Sequence, residues 1–311
     1  MLTRRDYLAL TAQAGAALTL PRALFAQAGE LLTRAIPKTG EPLPIVGLGS
    51  SATFSEIAGA ADVEAIKAVF AAMLEQGGTV FDTAPGYGAS EEIAAKAINE
   101  LGVRDKLFWA TKLNVAGRGT GADPARARAQ VDTSLTRFGG PIDLIQVHNV
   151  ADLATQFPIL AEYKQAERVR YIGATTTFKP QYATIEQFMR DEPVDFIGID
   201  YAVDNLDAEE TIFPLAQERG IAVLVYLPFG RTRLWERVEG HDVPDWAAEF
   251  GASTWAQFFL KFAASHPAVT AVTPATSKPH HMLDNMTAAR GRLPDEAERA
   301  RMVEFSSALP S

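Results

Sequence analysis

The chain has 311 residues, 47% of them hydrophobic and 22% charged, with a formal net charge of −9. This is the profile of a globular protein long enough for one large domain or two small ones, and the acidic balance without any basic stripe excludes a nucleic-acid-binding surface. With no cysteine, disulfides, thiolate metal sites, cysteine nucleophiles and lipoprotein anchors are excluded as well.

In chain order, the first stretch is MLTRRDYLAL, with Arg4-Arg5 ahead of a short Ala/Leu-rich segment over 8–20, then Pro21-Arg22 and the small-residue triplet Ala26-Gln27-Ala28. A charged start, a short apolar segment and an A-x-A cleavage site make an export signal, and the segment is too short to span a membrane. The paired arginines, weak hydrophobicity and Arg22 before the cleavage site are features of a twin-arginine (Tat) signal. The expected organisation is a signal peptide over 1–28, cleaved after Ala28, and one domain over 29–311. The expected location is the periplasm, reached through the Tat machinery, with no stable membrane insertion after cleavage.

From residue 43 onward, short apolar runs alternate with helical patterns. Strands are expected at 45–48, 79–82, 107–112, 144–148, 171–174, 196–200, 222–227 and 269–273. Helices are expected at 62–76, 90–101, 124–138, 153–168, 180–190, 208–219, 254–265 and 279–290. Prolines at helix starts (Pro124) and glycines after helix ends (Gly220) fit these boundaries. Eight strand–helix units in about 250 residues imply a parallel sheet closed into an α/β (β/α)8 TIM barrel. The competing open, doubly wound sheet lacks its glycine fingerprint, because Gly47-Leu48-Gly49 is only a fragment of it. The loop from 230 to 251 is longer than the others and reads as a cap or specificity loop, or as a surface excursion.

The strand ends carry the chemistry. In such a barrel the active site lies where the strands exit into their following loops. The second strand ends on Asp82, followed by Pro85, Gly86, Tyr87 and Gly88; the third ends on Lys112 and the fourth on His148. A phenol gives up its proton near pH 10, and a nearby ammonium lowers that value by favouring the phenolate. A buried lysine needs an anion, which Asp82 supplies. A neutral His148 holds a substrate oxygen near Tyr87 without adding charge. The set suits proton delivery to a carbonyl oxygen while hydride reaches the carbonyl carbon. The five histidines lack the spacing of a helical zinc pair, and His280 and His281 are expected to point in different directions on a helix; no metal site is expected.

These stretches resemble the aldo-keto reductase family: FDTAPGYGASEE (81–92), WATK (109–112), SLTRFGGPIDLIQVHN (134–149), VRYIGA (169–174) and VYLPFGR (225–231). The resemblance runs from about 43 to 285. It implies a catalytic tetrad of Asp82, Tyr87, Lys112 and His148. The implied reaction is nicotinamide-dependent reduction of an aldehyde or ketone to an alcohol, with the tyrosine as general acid and a small-molecule carbonyl compound as substrate. It implies NADP(H) in preference to NAD(H). Thr175 and Thr176 stand where the family holds the carboxamide with Ser-Asn, and Tyr226, followed by Leu227, where an aromatic stacks on the nicotinamide. Thr276, Ser277, Lys278, His281 and Asn285 fall on the turn and helix start that hold the adenosine 2′-phosphate and adenine. Two departures stand out: Gly198 replaces a glutamine, and His281 replaces a phosphate-clamping arginine. Gly198, with Thr176 in place of the asparagine, leaves room for a second expectation, a non-catalytic nucleotide-binding or accessory protein on the same barrel. Phe54, Trp109, Phe229 and Trp235 are expected to line the substrate pocket. Oligomeric state is not legible.

Overall fold

A strand covered by helices on one face and by other strands across a barrel on the other must be apolar on both, and the runs FWATKL and IDLIQV are buried along their whole length. A computed structural model of the chain describes residues 29–116 and 121–309; the expected signal peptide over 1–28 lies outside the described residues. A hairpin of β1 (Thr33–Ala35) and β2 (Pro42–Pro44) precedes the barrel strands. These are β3 (Leu48–Gly49), β4 (Val80–Asp82), β5 (Phe108–Leu113), β6 (Ile142–Val147), β7 (Val169–Thr176), β8 (Phe196–Asp200), β9 (Ala222–Tyr226) and β10 (Ala271–Val272). They pair in parallel in sequence order from β3 to β10, and parallel bridges from Val46 to Val272 and from Gly49 to Ala275 close the sheet. The expected (β/α)8 barrel is the observed fold.

Helices follow the strands: α1 (Thr53–Gly59) and α2 (Val63–Glu75) after β3, α3 (Ser90–Leu101), α4 (Pro124–Phe138), α5 (Leu153–Gln165), α6 (Tyr182–Asp191) and α7 (Ile212–Arg219) after β4 to β8. The short α8 (Arg233–Arg237) and α9 (Trp255–Ser265) come after β9, and α10 (Pro279–Thr287) and α11 (Glu296–Ala308) after β10. Local chemistry sets their ends. Asp123 caps α4 by accepting from the Arg126 amide, Pro124 occupies its first turn, and Gly139 ends it at φ 88°. The β1–β2 hairpin and the helices α1, α8 and α11 went unread in sequence. The hairpin strands are three residues each and two prolines bound β2, too short for a two-residue alternation to declare itself.

Period-two alternation divides the core. Phe108, Ala110, Leu144, Tyr171, Phe196, Leu224 and Tyr226 point into the barrel, with Ile36 and Leu43 of the hairpin packed among them. The intervening residues, among them Phe81, Trp109, Ile145, Ile172 and Val223, face the helices. The hairpin therefore plugs the N-terminal mouth, where Arg170 pairs with Glu41 and Asp143 and Tyr171 donates to Glu41. Inside the barrel the side chains are apolar towards this end, and Asp82 and Lys112 are buried towards the other.

Candidate active site

Inward parity puts Val80 and Asp82 of β4 on one barrel face, and Phe108, Ala110 and Lys112 of β5 beside them; Asp82 pairs in register with Ala110. Lys112 Nζ lies 2.6 Å from Asp82 Oδ2 and donates to the Thr83 carbonyl at 2.9 Å. Both side chains are almost wholly buried, at 1% and 4% exposure. Removing two ions from water costs several kcal/mol each, so such a pair persists only when further bonds complete it. They do so here: the Tyr226 hydroxyl lies 3.1 Å from Asp82 Oδ1 and 3.0 Å from Gln146 Oε1, and Gln146 Nε2 donates to the Ala174 carbonyl. Burial raises the Asp82 pKa, while Lys112 and the Tyr226 hydroxyl pull it back.

Tyr87 sits in the turn that β4 opens. The Tyr87 amide donates to the Ala84 carbonyl, the Ser90 amide donates to the Tyr87 carbonyl, and Gly88 takes a left-handed φ of 59°. The ring lies with its centroid 5.4 Å from Lys112 Nζ and 5.7 Å from the His148 ring, at 81° to it. Tyr87, Asp82, Lys112 and His148 all line one cavity of about 540 Å³. The four residues read from the strand ends thus meet in one place. One electrostatic expectation is corrected. Lys112 does favour the phenolate, as does Arg231, but burial outweighs them and the Tyr87 pKa is raised overall.

His148 follows β6 and is held neutral, its pKa pushed down to about 3 by burial and by Lys112. Its Nδ1 is buried without a hydrogen-bond partner, and the residue lines the cavity. Next to it, Asn149 turns left-handed at φ 55°, and its amide donates to Thr175 Oγ1. The Thr175 hydroxyl, one bond thus accepted, keeps its proton free for the cavity that Thr175 lines.

Of the cofactor-side residues, Thr175, Tyr226 and Leu227 line this cavity and Thr176 does not. Thr176 has the opposite strand parity; its hydroxyl donates to Gln181 Oε1 and accepts from the Phe178 amide. Thr177 reaches the cavity in its place. Gly198 also has a steric reason: a Cβ there would stand 2.2 Å from Tyr226 Cε2 and 2.7 Å from its hydroxyl oxygen. The Tyr226 ring takes the space that a glutamine side chain would need. Thr276, Ser277, Lys278, His281 and Asn285 lie outside the cavity, before and along α10, with Thr276 and Asn285 buried and Lys278 and His281 exposed. Thr276 Oγ1 accepts from the Lys278 amide. The His280 and His281 rings do not diverge as expected; their centroids are 4.4 Å apart, and burial, His280 and Lys278 lower the His281 pKa. Among the described residues no group of three or more His, Asp or Glu is placed to hold a metal ion.

On the substrate side, Phe229 and Trp235 line the cavity with ring centroids 4.9 Å apart. Phe54 and Trp109 do not: both are fully buried between sheet and helices, Trp109 against Phe81 and Phe138. Counting by twos back from Lys112 puts Trp109 on the outer face, so the signal was present in the sequence. Ser50, Gln146, Asn149, Thr177 and Arg231 are site residues that reading of the strand ends missed. Ser50 lines the cavity, and its Oγ is buried without a hydrogen-bond partner; it follows the first strand directly, which was the available clue.

Comparison with known proteins agrees with this geometry. The model of the Aldo/keto reductase family matches residues 45–301, and the chain belongs to that family. Aldo-keto reductase YhdN of Bacillus subtilis (strain 168) is 32% identical over 201 residues, 61% of this chain and 60% of its own length. Probable aldo-keto reductase 1 of Glycine max is 34% identical over 170 residues, 50% of this chain and 47% of its own. The chain thus spans about half to three-fifths of the length of these curated relatives. Among solved structures, the holo form of aldo-keto reductase AKR11C1 from Bacillus halodurans superposes with a TM-score of 0.71 at 22% identity, over 91% of this chain and 99% of that one. An aldo-keto reductase from Klebsiella pneumoniae in complex with NADPH gives 0.72 at 21% identity, over 89% and 95%. At these identities the structures establish the shared barrel.

Because the Tyr226 hydroxyl completes the buried ion pair, Tyr226→Phe is expected to lower stability by about 1–3 kcal/mol in urea denaturation, the cost of leaving buried acceptors unsatisfied. Gly198→Ala is expected to destabilise too, by displacing the same ring. Wild-type stability in both variants would show that the phenol does not support Asp82.

Proposed function

We propose that this protein is an oxidoreductase that reduces an aldehyde or ketone to an alcohol with NADP(H), with Tyr87 as the general acid. The observation that carries the reading is the gathering of Tyr87, Lys112, Asp82 and His148 on one cavity at the C-terminal mouth of the barrel. The residues present suit a dinucleotide. Ser50 Oγ is a buried hydroxyl without a partner on the cavity wall, Thr175 and Thr177 bring two more hydroxyls, and Tyr226 brings an aromatic ring. Thr276, Ser277, Lys278, His281 and Asn285, before and along α10, would hold the adenosine end, where helix N-terminal amides favour an anion. The Klebsiella relative in complex with NADPH supports the choice of NADP(H). When bound, reduced nicotinamide would supply the hydride.

The protein's own part is proton delivery and orientation. Burial keeps the Tyr87 phenol protonated at neutral pH, so the proton is there to give. The Lys112 ammonium, 5.4 Å from the ring centroid, favours the phenolate left behind. Asp82 keeps that ammonium in place, and the Thr83 carbonyl shares the task. Neutral His148 donates a ring N–H to the carbonyl oxygen and orients it towards the phenol. The carbonyl carbon gains the hydride as its oxygen takes the Tyr87 proton, and an alcohol leaves. Phe229 and Trp235 suit an apolar or aromatic substituent.

We also propose that residues 1–28 are a twin-arginine signal and that the chain leaves the cytoplasm folded around its dinucleotide. The Arg4-Arg5 pair and the small-residue triplet ending at Ala28 support this. Fractionation of cells is expected to find the mature chain in the periplasm with nucleotide bound, and Arg4→Lys with Arg5→Lys to retain it inside. A chain found only in the cytoplasm, or periplasmic protein binding nucleotide no better than weakly micromolar, would contradict the proposal.

For the chemistry, Tyr87→Phe is expected to cut carbonyl-dependent NADPH oxidation by about two orders of magnitude or more, with nucleotide affinity by fluorescence nearly unchanged. Equal turnover in the variant would refute Tyr87 as the acid. Nucleotide binding without turnover of any aldehyde by the wild type would favour the accessory reading, which the outward-facing Thr176 and the missing side chain at Gly198 suggest.

A further inference from the structure

The segment from Asp82 to Glu91 carries Tyr87, and both of its terminal acids reach the same strand. Asp82 is bonded to Lys112 inside the barrel, with Oδ2 2.6 Å from Nζ. Glu91 is bonded to the preceding residue on the outer face of the sheet, where Thr111 Oγ1 donates to its Oε1 at 2.6 Å. Successive residues of a strand point to opposite faces, so β5 is gripped from both sides by one continuous stretch of chain. Thr83 adds a backbone bond beside Asp82, its amide donating to the Ala110 carbonyl at 2.8 Å.

The Glu91 end is built as firmly as the Asp82 end. The Glu91 side chain is 1% exposed, and a carboxylate so deep in protein persists only with a full set of donors. Besides Thr111 of β5, two residues of α4 supply them: Ser134 donates to Oε1 and Arg137 to Oε2, each at 2.9 Å. The Arg137 guanidinium also reaches Glu92 at 3.3 Å. Ser90 ties the same helix start to the loop after β3, its Oγ donating to the Ser50 carbonyl at 3.0 Å. The first turn of α3, directly beyond the Tyr87 turn, is therefore fixed to β5, to α4 and to that loop. Ser90, Glu91, Thr111, Ser134 and Arg137 all lie off the cavity wall, and none has a part in the proton delivery described above. All five nevertheless fall in the stretches FDTAPGYGASEE, WATK and SLTRFGGPIDLIQVHN.

We propose that Glu91 is a positioning residue for the reaction: by holding Thr111 from outside the barrel, it fixes the Tyr87 turn against the strand that carries Lys112. This rests on the reductase reading above and extends it to a residue that touches neither substrate nor cofactor. The path is a closed one. It runs from Lys112 through the ion pair to Asp82 and along the chain past Tyr87 to Glu91. The Thr111 hydroxyl then returns it to the residue beside Lys112. Release of the Glu91 link frees one end of the segment and lets the phenol drift. The Tyr87 ring centroid now lies 5.4 Å from the ammonium and 5.7 Å from the His148 ring centroid. Displacing a reacting group by about an ångström costs up to about a hundredfold in rate.

The test removes one hydroxyl at a time from the same carboxylate oxygen. Thr111→Val, close in shape, deletes the link to β5; Ser134→Ala deletes a link to α4 and leaves β5 held. With benzaldehyde and NADPH, Thr111→Val is expected to lower kcat about tenfold or more, with KM and NADPH affinity nearly unchanged. Thr111→Ser, which restores the hydroxyl, is expected to return kcat to within about threefold of wild type, and Ser134→Ala to stay within about twofold. Glu91→Ala is expected to fall at least as far as Thr111→Val; if it does not fold, Thr111→Val decides. Wild-type kcat in Thr111→Val overturns the proposal. So does an equal fall in Ser134→Ala, which would make the carboxylate a support of stability alone. A second readout needs no turnover. The nuclear Overhauser contact between the Tyr87 and His148 rings is expected to weaken in Thr111→Val and to persist in Thr111→Ser and Ser134→Ala. A contact of wild-type strength in Thr111→Val overturns the proposal. If the wild type reduces no benzaldehyde, the reductase reading is what has failed, and this contact alone decides whether Glu91 positions Tyr87.

Discussion

The site depends on a single buried ion pair. Lys112 and Asp82 meet at 2.6 Å almost wholly out of water, and neither is tolerable there alone. Loss of one partner would leave an uncompensated ion, a change worth about 3–5 kcal/mol in proteins generally. The surrounding groups are arranged to make the pair hold: Thr83 gives a carbonyl to the ammonium, and Tyr226, supported by Gln146, sits on the second carboxylate oxygen. The pair then does for Tyr87 what bulk water cannot. It keeps a positive charge near a phenol whose pKa burial raises.

The barrel makes this arrangement possible by sorting its interior along one axis. At the N-terminal mouth, Ile36, Leu43, Phe108, Tyr171 and Phe196 fill the space with apolar side chains. One or two turns of alternation further, the same strand faces deliver Asp82, Lys112, Gln146, Thr175 and Tyr226. Polar groups are thus concentrated where loops supply further partners, and the dry end beneath them excludes water from the ion pair. Gly198 belongs to the same logic. Its missing side chain is the space occupied by the Tyr226 ring, so a departure that weakens one family feature serves the packing of another.

Much of this was legible in the sequence. The repeated strand–helix pattern was enough for the barrel, because eight parallel strands of this spacing have few other ways to bury both faces. Asp82, Tyr87, Lys112 and His148 were legible because each ends a strand or follows one, where topology alone decides which mouth it faces. What failed was finer. Thr176 was assigned to the cofactor by its position in the family's pattern and Trp109 to the substrate pocket as an aromatic, although strand parity relative to Thr175 and Lys112 places them on the outer face. The direction of the Tyr87 shift was misjudged because proximity of charge is visible in a motif and burial is not. Arg231, Ser50 and Thr177 were passed over because their importance comes from loop conformation, which a left-handed turn at a non-glycine residue does not announce.

The measurement that bears most directly on the account is the pKa of Tyr87, followed by NMR with isotope-labelled tyrosine in the wild type and in Lys112→Met. If the ammonium offsets burial as argued, the phenol in the variant titrates at clearly higher pH than in the wild type. A value that stays the same or falls when the cation is removed would contradict the electrostatic role assigned to the pair.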